Sequence, residues 1–355
     1  MKKLLASFVL IAIAATAWAG NKDRAGQAGA YELLINPWAR SSGWNGLNTA
    51  NVRGLESLNQ NAAGLAFATR TELIFSHSIY LQGTGIGINA FGFAQPLGKN
   101  GGVLGIDAVA MNFGEIGITT TEQPEGGIGF YKPLFLNLAV AYAKTFSNSI
   151  HCGVVFRGIS EAVSDISATG ISVDAGVQYQ TGSQADPTKV KFGISLRNIG
   201  TPMKFSGDAL SFKGDEPNGD YPLTLEKRSQ QFELPSQLNI GGSYDFRFGA
   251  GETAMERNHR LTVVGNFTSN SFSQDQVGGG LEYAFNEQLM IRGGYNYQEG
   301  LTNAEDRSTA FTGLSGGFSI EVPVKKNGPS FGVDYAYRTS NPFGGTHTVG
   351  VRLLL

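Results

Sequence analysis

Few residues of this 355-residue chain stand at spacings that could perform covalent chemistry. Residues 313–317 read Gly-Leu-Ser-Gly-Gly and match G-x-S-x-G, the strained strand-to-helix turn that exposes a nucleophilic serine in hydrolases. The alternation of apolar residues continues through this stretch to Val322, so no helix follows it. A nucleophilic serine is therefore disfavoured, and nothing else in the chain combines an acid, a base and a nucleophile.

The sequence gives equally little support for a metal site or a cofactor site. The acidic stretch 214–221 offers several oxygen ligands, but it departs from the EF-hand pattern, so a solvated loop is favoured over a calcium site. Residues 83–87 lack the βαβ context of a phosphate loop. The histidines lie far apart, with no partner at i+4: His77, His151, His259 and His347. We expect no enzyme, no metal ion and no cofactor.

The N-terminus has the pattern of an export signal. Lys2 and Lys3 precede an apolar run, and Ala17-Trp18-Ala19 offers small residues for cleavage before Gly20, so residues 1–19 are predicted to be a signal peptide. Without those two lysines, 25 of the 27 basic residues face 29 acidic ones. The resulting charge of about −4 disfavours nucleic-acid binding.

The later part of the chain alternates in polarity with a period of two, which indicates β-strands. In residues 289–298 and 331–338 one set of alternate positions is apolar and the other is polar or charged. These runs are about ten residues long, the length that crosses a bilayer when tilted, and their apolar faces end in Tyr and Phe. The pattern predicts a protein of the outer membrane of a Gram-negative bacterium.

The whole chain contains about fourteen such runs, separated by Gly, Asn, Pro and Ser. We predict an all-β fold, a transmembrane antiparallel β-barrel of about 14 strands in residues 71–355. If both chain ends are periplasmic, the long connections 113–133, 161–169, 200–235 and 299–310 face the exterior. The expected strands are 72–80, 85–96, 102–112, 134–146, 149–160, 170–181, 188–199, 236–248, 259–268, 277–286, 289–298, 311–322, 330–339 and 346–355.

The charged face of the later strands must point into the lumen, because an arginine at the middle of the lipid costs about 2–4 kcal/mol. Four lumen charges are predicted: Arg292, Asp334, Arg338 and Arg352. Residues 20–70 do not alternate over a spanning length and hold Trp38, Trp44 and many asparagines. We predict that this segment folds inside the barrel as a plug braced by paired charges. A disordered periplasmic tail is the alternative.

The same segment resembles the N-terminus of the PorV/PorQ family. Residues 39–46 are similar to an A-R-x-x-G-x-G step, and residues 61–65 to an N-P-A-G-L motif, with Ala62 in place of the proline. Weaker matches occur at 113–116, 174–177 and 197–200, whereas the final Leu355 replaces the aromatic residue usual in barrel-assembly signals. The resemblance assigns five residues to a plug motif: Arg40, Gly43, Asn61, Gly64 and Leu65.

Members of this family look like FadL-type channels in fold, and the best known serve type IX secretion. The resemblance therefore implies a non-enzymatic barrel that docks or shuttles proteins, with an exported or surface-anchored protein or a secretion-system component as partner and outer-membrane lipid around it. The alternative is a FadL-like transporter of hydrophobic small molecules, which the charged lumen disfavours. Candidate partner-binding residues on the long loops are aromatic: Phe130, Tyr131, Phe205, Phe212 and Tyr221.

Overall fold

The computed structural model describes residues 22–98, 101–181, 190–215, 222–251, 256–303, 305–324 and 328–355. The predicted signal peptide and the candidate partner-binding residue Tyr221 lie outside these ranges. The long strands are β1 (Glu72–Tyr80), β2 (Ile86–Pro96), β3 (Val103–Asn112), β4 (Leu134–Thr145), β5 (Ile150–Val163), β6 (Ile166–Gln180), β7 (Val190–Gly200), β8 (Gln237–Phe248), β9 (His259–Asn270), β10 (Gln276–Phe285), β11 (Leu289–Gln298), β12 (Phe311–Pro323), β13 (Ser330–Ser340) and β14 (Thr346–Leu354).

These fourteen strands form one closed antiparallel barrel. Each pairs with its neighbours in chain order, and β14 closes the ring on β1, from Glu72 opposite Leu354 to Ile79 opposite His347. The predicted fold class is confirmed. A two-residue strand, Ser206–Gly207, adds to the edge of β6 outside the ring.

The predicted long connection 161–169 is wrong. β5 and β6 continue through it with paired residues up to Val163 opposite Ile166, and only Ser164 and Asp165 form the turn. Beyond the lipid, a strand keeps its backbone ladder without needing apolar outward side chains, so the hydropathy pattern ends before the hydrogen bonds do. The connections at this end of the barrel otherwise include the long ones, 113–133, 201–236 and 299–310; we call it the long-loop end.

The outer surface of the barrel is apolar and its inner surface is polar. Phe156 is 57% exposed, whereas Arg157, the next residue on β5, is 2% exposed. The same contrast recurs on β6, where Ile171 is 61% exposed beside a fully buried Ser172. Such a surface suits lipid outside and a polar interior inside. Among the described residues, no helix has both the length and the apolar character of a membrane span.

The described part of the N-terminal segment, residues 22–70, contains only short helices. They are the 3₁₀ turns Lys22–Arg24, Tyr31–Leu34, Leu55–Asn59 and Ala62–Phe67 and one α-helix, α1 (Ala39–Gly43). A hydrophobic cluster joins this segment to the inner faces of β1–β5, with Trp38, Leu55 and Leu65 fully buried among strand alanines. Together these residues put the segment against the inner wall of the barrel.

A glycine in β5 shows how closely the two backbones approach. A Cβ atom built on Gly153 would lie 2.3 Å from the carbonyl oxygen of Ala62. No other residue type can occupy that position without moving the N-terminal segment. The density of glycine on the inner face thus serves backbone contact with this segment.

Candidate functional site

Hydrogen bonds tie the N-terminal segment to the barrel wall on several sides. On β1 the hydroxyl of Ser76 donates to the Pro37 carbonyl at 2.8 Å, and on β12 the hydroxyl of Ser315 donates to the Gly43 carbonyl at 2.9 Å. On β7 the hydroxyl of Ser195 donates to the Gln60 carbonyl at 2.8 Å. Serines at these inward positions therefore satisfy carbonyl groups of a segment that has little regular structure of its own.

The residues of the predicted plug motif all lie at these contacts or within the segment. Asn61 is 1% exposed, and its amide donates to the carbonyls of Thr49 at 2.9 Å and of Val177, on β6, at 3.2 Å. A Cβ on Gly64 would lie 2.4 Å from the Val52 carbonyl oxygen, inside the segment. The other three are Gly43, packed against β12 and Arg292, the fully buried Leu65, and the half-buried Arg40.

Two carboxyl groups of the segment have little access to solvent, one on the buried Glu56 and the other on the half-buried Glu32. Glu56 accepts hydrogen bonds from the backbone N–H of Ser41, at 3.2 Å, and from its hydroxyl, at 2.9 Å. Burial raises the pKa of Glu56 above its usual range. For Glu32, burial and the neighbouring carboxyl of Glu161 raise the pKa to about 8. Glu32 therefore loses its proton at a higher pH than an exposed glutamate does.

Three of the four predicted lumen charges belong to buried ion pairs. Arg292 Nε lies 2.7 Å from Glu282, and Arg352 Nε lies 2.7 Å from Asp334. A second oxygen of Glu282 lies 3.0 Å from Arg260. These pairs join neighbouring strands of the wall, β10 with β11 and β13 with β14. Each pair therefore ties two strands of the wall together, and neither includes a residue of the N-terminal segment that paired charges were expected to brace.

Arg338 differs from the other three. Its guanidinium lies 3.9 Å from the ring centroid of Phe311, on β12, and it forms no ion pair with any described residue. Its Nε is buried without a hydrogen-bond partner among those residues. The expectation that Arg338 sits in a charge pair is therefore wrong, because an aromatic face takes the place of a carboxylate.

Sequence reasoning missed a charged cluster in the earlier strands. Arg157, on β5, lies 3.5 Å from Asp107 and 3.7 Å from Asp174, and it donates to the Leu58 carbonyl of the segment at 3.0 Å. All three charged side chains are at most 4% exposed. The signal was present, since each interrupts a run of small and apolar residues with a charge at an inward position.

A cavity of about 290 Å³ lies at the long-loop end, bounded below by the N-terminal segment; we call it the upper cavity. Segment residues Ser42, Asn45 and Gln60 form part of its lining. The opposite wall comes from the ends of β8–β13, including Asn239 and Arg338. Nine of its lining side chains are amides, so the cavity is strongly polar: Asn36, Asn45, Gln60, Gln237, Asn239, Asn270, Gln276, Asn296 and Gln298.

Two further cavities, of about 420 and 590 Å³, lie at the opposite end; we call them the lower cavities. Both are lined by Arg40, Arg53 and Glu56 of the segment. Their remaining lining comes from the other ends of the strands, for example Asp245 on β8 and Arg352 on β14. Segment residues 40–60 thus line cavities toward both ends of the barrel.

The candidate partner-binding aromatics lie on two loops at the long-loop end. Phe130 and Tyr131 form a short hairpin with Ile116–Gly117, and Phe130 is 67% exposed. Phe212 is 43% exposed and lies under the ammonium of Lys227, 5.5 Å away. Phe205 instead packs beside Phe232, against a buried cluster. No group of three metal-binding side chains occurs in the part of the chain that the structure describes.

Comparison with known proteins bears on the fold. No protein-family model and no curated protein matches the chain. The toluene transporter TbuX of Ralstonia pickettii matches with a TM-score of 0.52 at 12% identity, covering 90% of this chain and 97% of that one. The toluene transporter TodX of Pseudomonas putida matches with a TM-score of 0.54 at 9% identity, with the same coverage. The chain thus has the outer-membrane β-barrel fold of these two transporters.

Proposed function

We propose that the protein is an outer-membrane transport channel for small molecules, and that residues 22–70 are the plug that controls passage. The position of the segment carries this proposal. Ser42 and Gln60 line the upper cavity, whereas Arg40 and Asn48 line a lower one, so the segment lies between spaces at opposite ends. The fold shared with TbuX and TodX supports the same function.

The path runs along the wall formed by β8–β11, because those strands line both the upper cavity and a lower one. Between the cavities, that wall is rich in glycine. A Cβ on Gly278 would lie 2.5 Å from a Leu47 methyl group, and one on Gly294 would lie 2.7 Å from the Trp44 carbonyl oxygen. Trp44 and Leu47 therefore close the path by direct contact with the strand backbone.

Opening requires residues 44–50 to move off this wall. The opposite side of the segment is held more firmly, because the hydrophobic cluster with β1–β5 buries Trp38, Leu55, Leu58 and Leu65. Burying each such side chain stabilises the contact by about 1.5–3 kcal/mol. The segment thus has a fixed side and a side with fewer apolar contacts, as a movable plug requires.

The test is solute entry into liposomes that contain the purified, folded protein. We expect liposomes with the protein to swell in small organic solutes faster than protein-free liposomes. A heat-denatured preparation is the matched control. Swelling equal to that of protein-free liposomes for glucose, glucuronate and benzoate alike would contradict a transport function.

A second candidate function is the docking of an exported or surface-anchored protein, linked to type IX secretion, as the PorV/PorQ resemblance implies. Its support is an exposed apolar hairpin on loop 113–133, whose stem carries an ion pair between Lys132 and Glu115 at 2.9 Å. Four of its side chains are between 38 and 67% exposed: Ile116, Ile118, Ile128 and Phe130. Exposed apolar patches of this kind outside the membrane commonly contact another protein.

Docking is tested by replacing residues 116–131 with a Gly/Ser linker and purifying the barrel in mild detergent. The docking role predicts that a stoichiometric protein partner is lost while the barrel stays folded. Replacing 299–310 in the same way is the control, since that loop lacks the exposed hairpin. Purification of the unchanged protein without any partner would contradict docking.

A further inference from the structure

We propose that the upper cavity is a binding site for a small organic anion that carries hydroxyl groups, in the chemical class of the sugar acids. The sugar acid would be the solute of the proposed channel. The binding site depends on that proposed function only because the solute must reach the cavity through the channel. The site is formed by Arg197, Arg338, Asn36 and Asn239. The charge of Arg338, which has no carboxylate partner among the described residues, and the amides that line the cavity carry the inference.

The charge of the upper cavity is unbalanced. Arg197 and Arg338 line it, and none of its described lining residues is a carboxylate. The lower cavities are the internal comparison: one has five basic and four acidic lining residues, and the other has four of each. Cations in the lower cavities therefore have carboxylates beside them. In the upper cavity the carboxylate of Asp174, which does not line the cavity, acts on Arg197, so Arg338 is the cation that favours an anion from outside.

The unused hydrogen-bonding atoms of the upper cavity are all donors. Buried nitrogens without a partner among the described residues are Asn36 Nδ2, Asn239 Nδ2, Arg197 Nε and Arg338 Nε. Among the described atoms, no oxygen of a lining residue is both buried and without a hydrogen-bond partner. A buried donor left without an acceptor costs about 1–3 kcal/mol. These nitrogens are buried even beside the cavity, so a ligand rich in acceptor oxygens removes that cost only when the side chains turn toward it, and a hydrocarbon such as toluene has no acceptor to offer.

Arg338 is held ready for such a ligand. Its stacking on Phe311 fixes the guanidinium without neutralising it, since an aromatic ring contributes only about 0.5–2 kcal/mol and no formal charge. A guanidinium has five N–H donors in a planar fork that matches the two oxygens of a carboxylate. We assign the carboxylate of the ligand to Arg338 for this reason.

The remaining wall suits hydroxyl groups. Amides and a hydroxyl on β8–β11 form pairs across the strands, with Thr268 donating to Asn239 at 2.7 Å, Gln237 donating to Asn270 at 2.7 Å and Asn296 donating to Gln276 at 2.9 Å. An amide both donates and accepts, as a sugar hydroxyl does. The volume, about 290 Å³, is at the small end of ligand pockets and suits a single ring.

Equilibrium dialysis of radiolabelled glucuronate against the full chain in detergent tests this site. We expect saturable binding that unlabelled glucuronate displaces and that glucose, benzoate, inorganic phosphate and toluene displace at least tenfold less well. Arg338→Gln removes the charge, and Asn239→Asp replaces a donor with an anion at unchanged size. Each should weaken glucuronate binding at least tenfold. Arg247→Gln, on the same strand as Asn239 but in a lower cavity, should leave it unchanged.

Gel mobility of unheated samples verifies that each variant is folded, and either variant alone suffices if the other fails to fold. Unchanged glucuronate affinity in the folded variants would overturn the site. Equal displacement by benzoate would overturn the hydroxyl requirement, and equal displacement by phosphate would reduce the site to one for any anion. Binding without liposome entry would refute transport but keep the site, whereas entry without binding would refute the site alone.

Discussion

The side-chain amide of Asn61 donates to the backbone carbonyl of Val177, 3.2 Å away on β6, and so joins the N-terminal segment to the barrel wall. The same amide holds Thr49 at 2.9 Å, and its oxygen accepts from the Ala63 N–H at 3.2 Å. One buried side chain thus hydrogen-bonds to two turns of the segment and to one strand of the wall. We infer that Asn61 holds the segment in its position against β6.

Asn61→Leu should loosen the segment while leaving the barrel inserted. The change removes three hydrogen bonds at a site that is 1% exposed, each worth about 0.5–1.5 kcal/mol, although the Thr49 carbonyl keeps the amide of Gln178 at 3.1 Å. Hydrogen exchange should speed up across residues 38–68. Asn112→Leu, at an exposed position, is the control, and equal exchange in the two variants would show that Asn61 does not anchor the segment.

Gly153→Ala should displace the segment through backbone contact alone. The added methyl group would lie 2.3 Å from the Ala62 carbonyl oxygen, which is too close for a carbon and an oxygen that are not bonded to each other. Gly265→Ala is the matched control, because that glycine lies in a strand with no atom within 4 Å of the added group. Limited proteolysis should cut residues 40–68 only in Gly153→Ala. Identical digestion of both variants would contradict the close approach.

Arg352→Leu should destabilise the protein more than Arg338→Leu. Removing Arg352 leaves Asp334, which is 1% exposed, without its cation, and breaking a buried pair in this way costs about 3–5 kcal/mol. Removing Arg338 loses only the stacking on Phe311. Unfolding by guanidinium in detergent measures both variants. A larger loss for Arg338→Leu would mean that this arginine has an acidic partner after all.

Attachment of the segment near Glu32 should weaken as the pH rises. Burial raises the pKa of this carboxyl from 4.5 to about 8, so the attached form holds a proton that the detached form releases between these values. Stability contributed by Glu32 is full below pH 4.5 and is lost as the pH passes 8. Exchange protection of residues 30–36, corrected for intrinsic rates, should fall over this window, and Glu32→Gln should flatten the change.

The sequence predicted the barrel closely because a strand between lipid and lumen must alternate. The ends of all fourteen strands lie within four residues of the expected ends. The largest differences occur near Ser164 and Asp165, where the strands extend beyond the lipid and the alternation of apolar residues ends before the strand does. The positions of Arg338 and Phe311 could not be predicted. They are 27 residues apart in the chain, and a register shift between Phe311 and Ser315 brings them together. The upper cavity combines the ends of several strands with the segment, which no local pattern encodes.

The central claim is that residues 44–50 of the N-terminal segment must leave the wall for a solute to pass. Thr49 lies next to Gly241, on β8, with a Cβ built on Gly241 3.1 Å from the Thr49 Cβ, so Thr49→Cys and Gly241→Cys in a Cys152→Ser background should form a disulfide. The control pair, Gly265→Cys and Gly279→Cys, joins the neighbouring strands β9 and β10 without contacting the segment.

The deciding measurement is solute entry into liposomes before and after reduction of these disulfides. We predict that the Thr49–Gly241 disulfide slows entry at least tenfold, that reduction restores it, and that the control disulfide has no effect. Entry at the same rate in the oxidised and reduced forms of the Thr49–Gly241 variant would contradict the proposed movement.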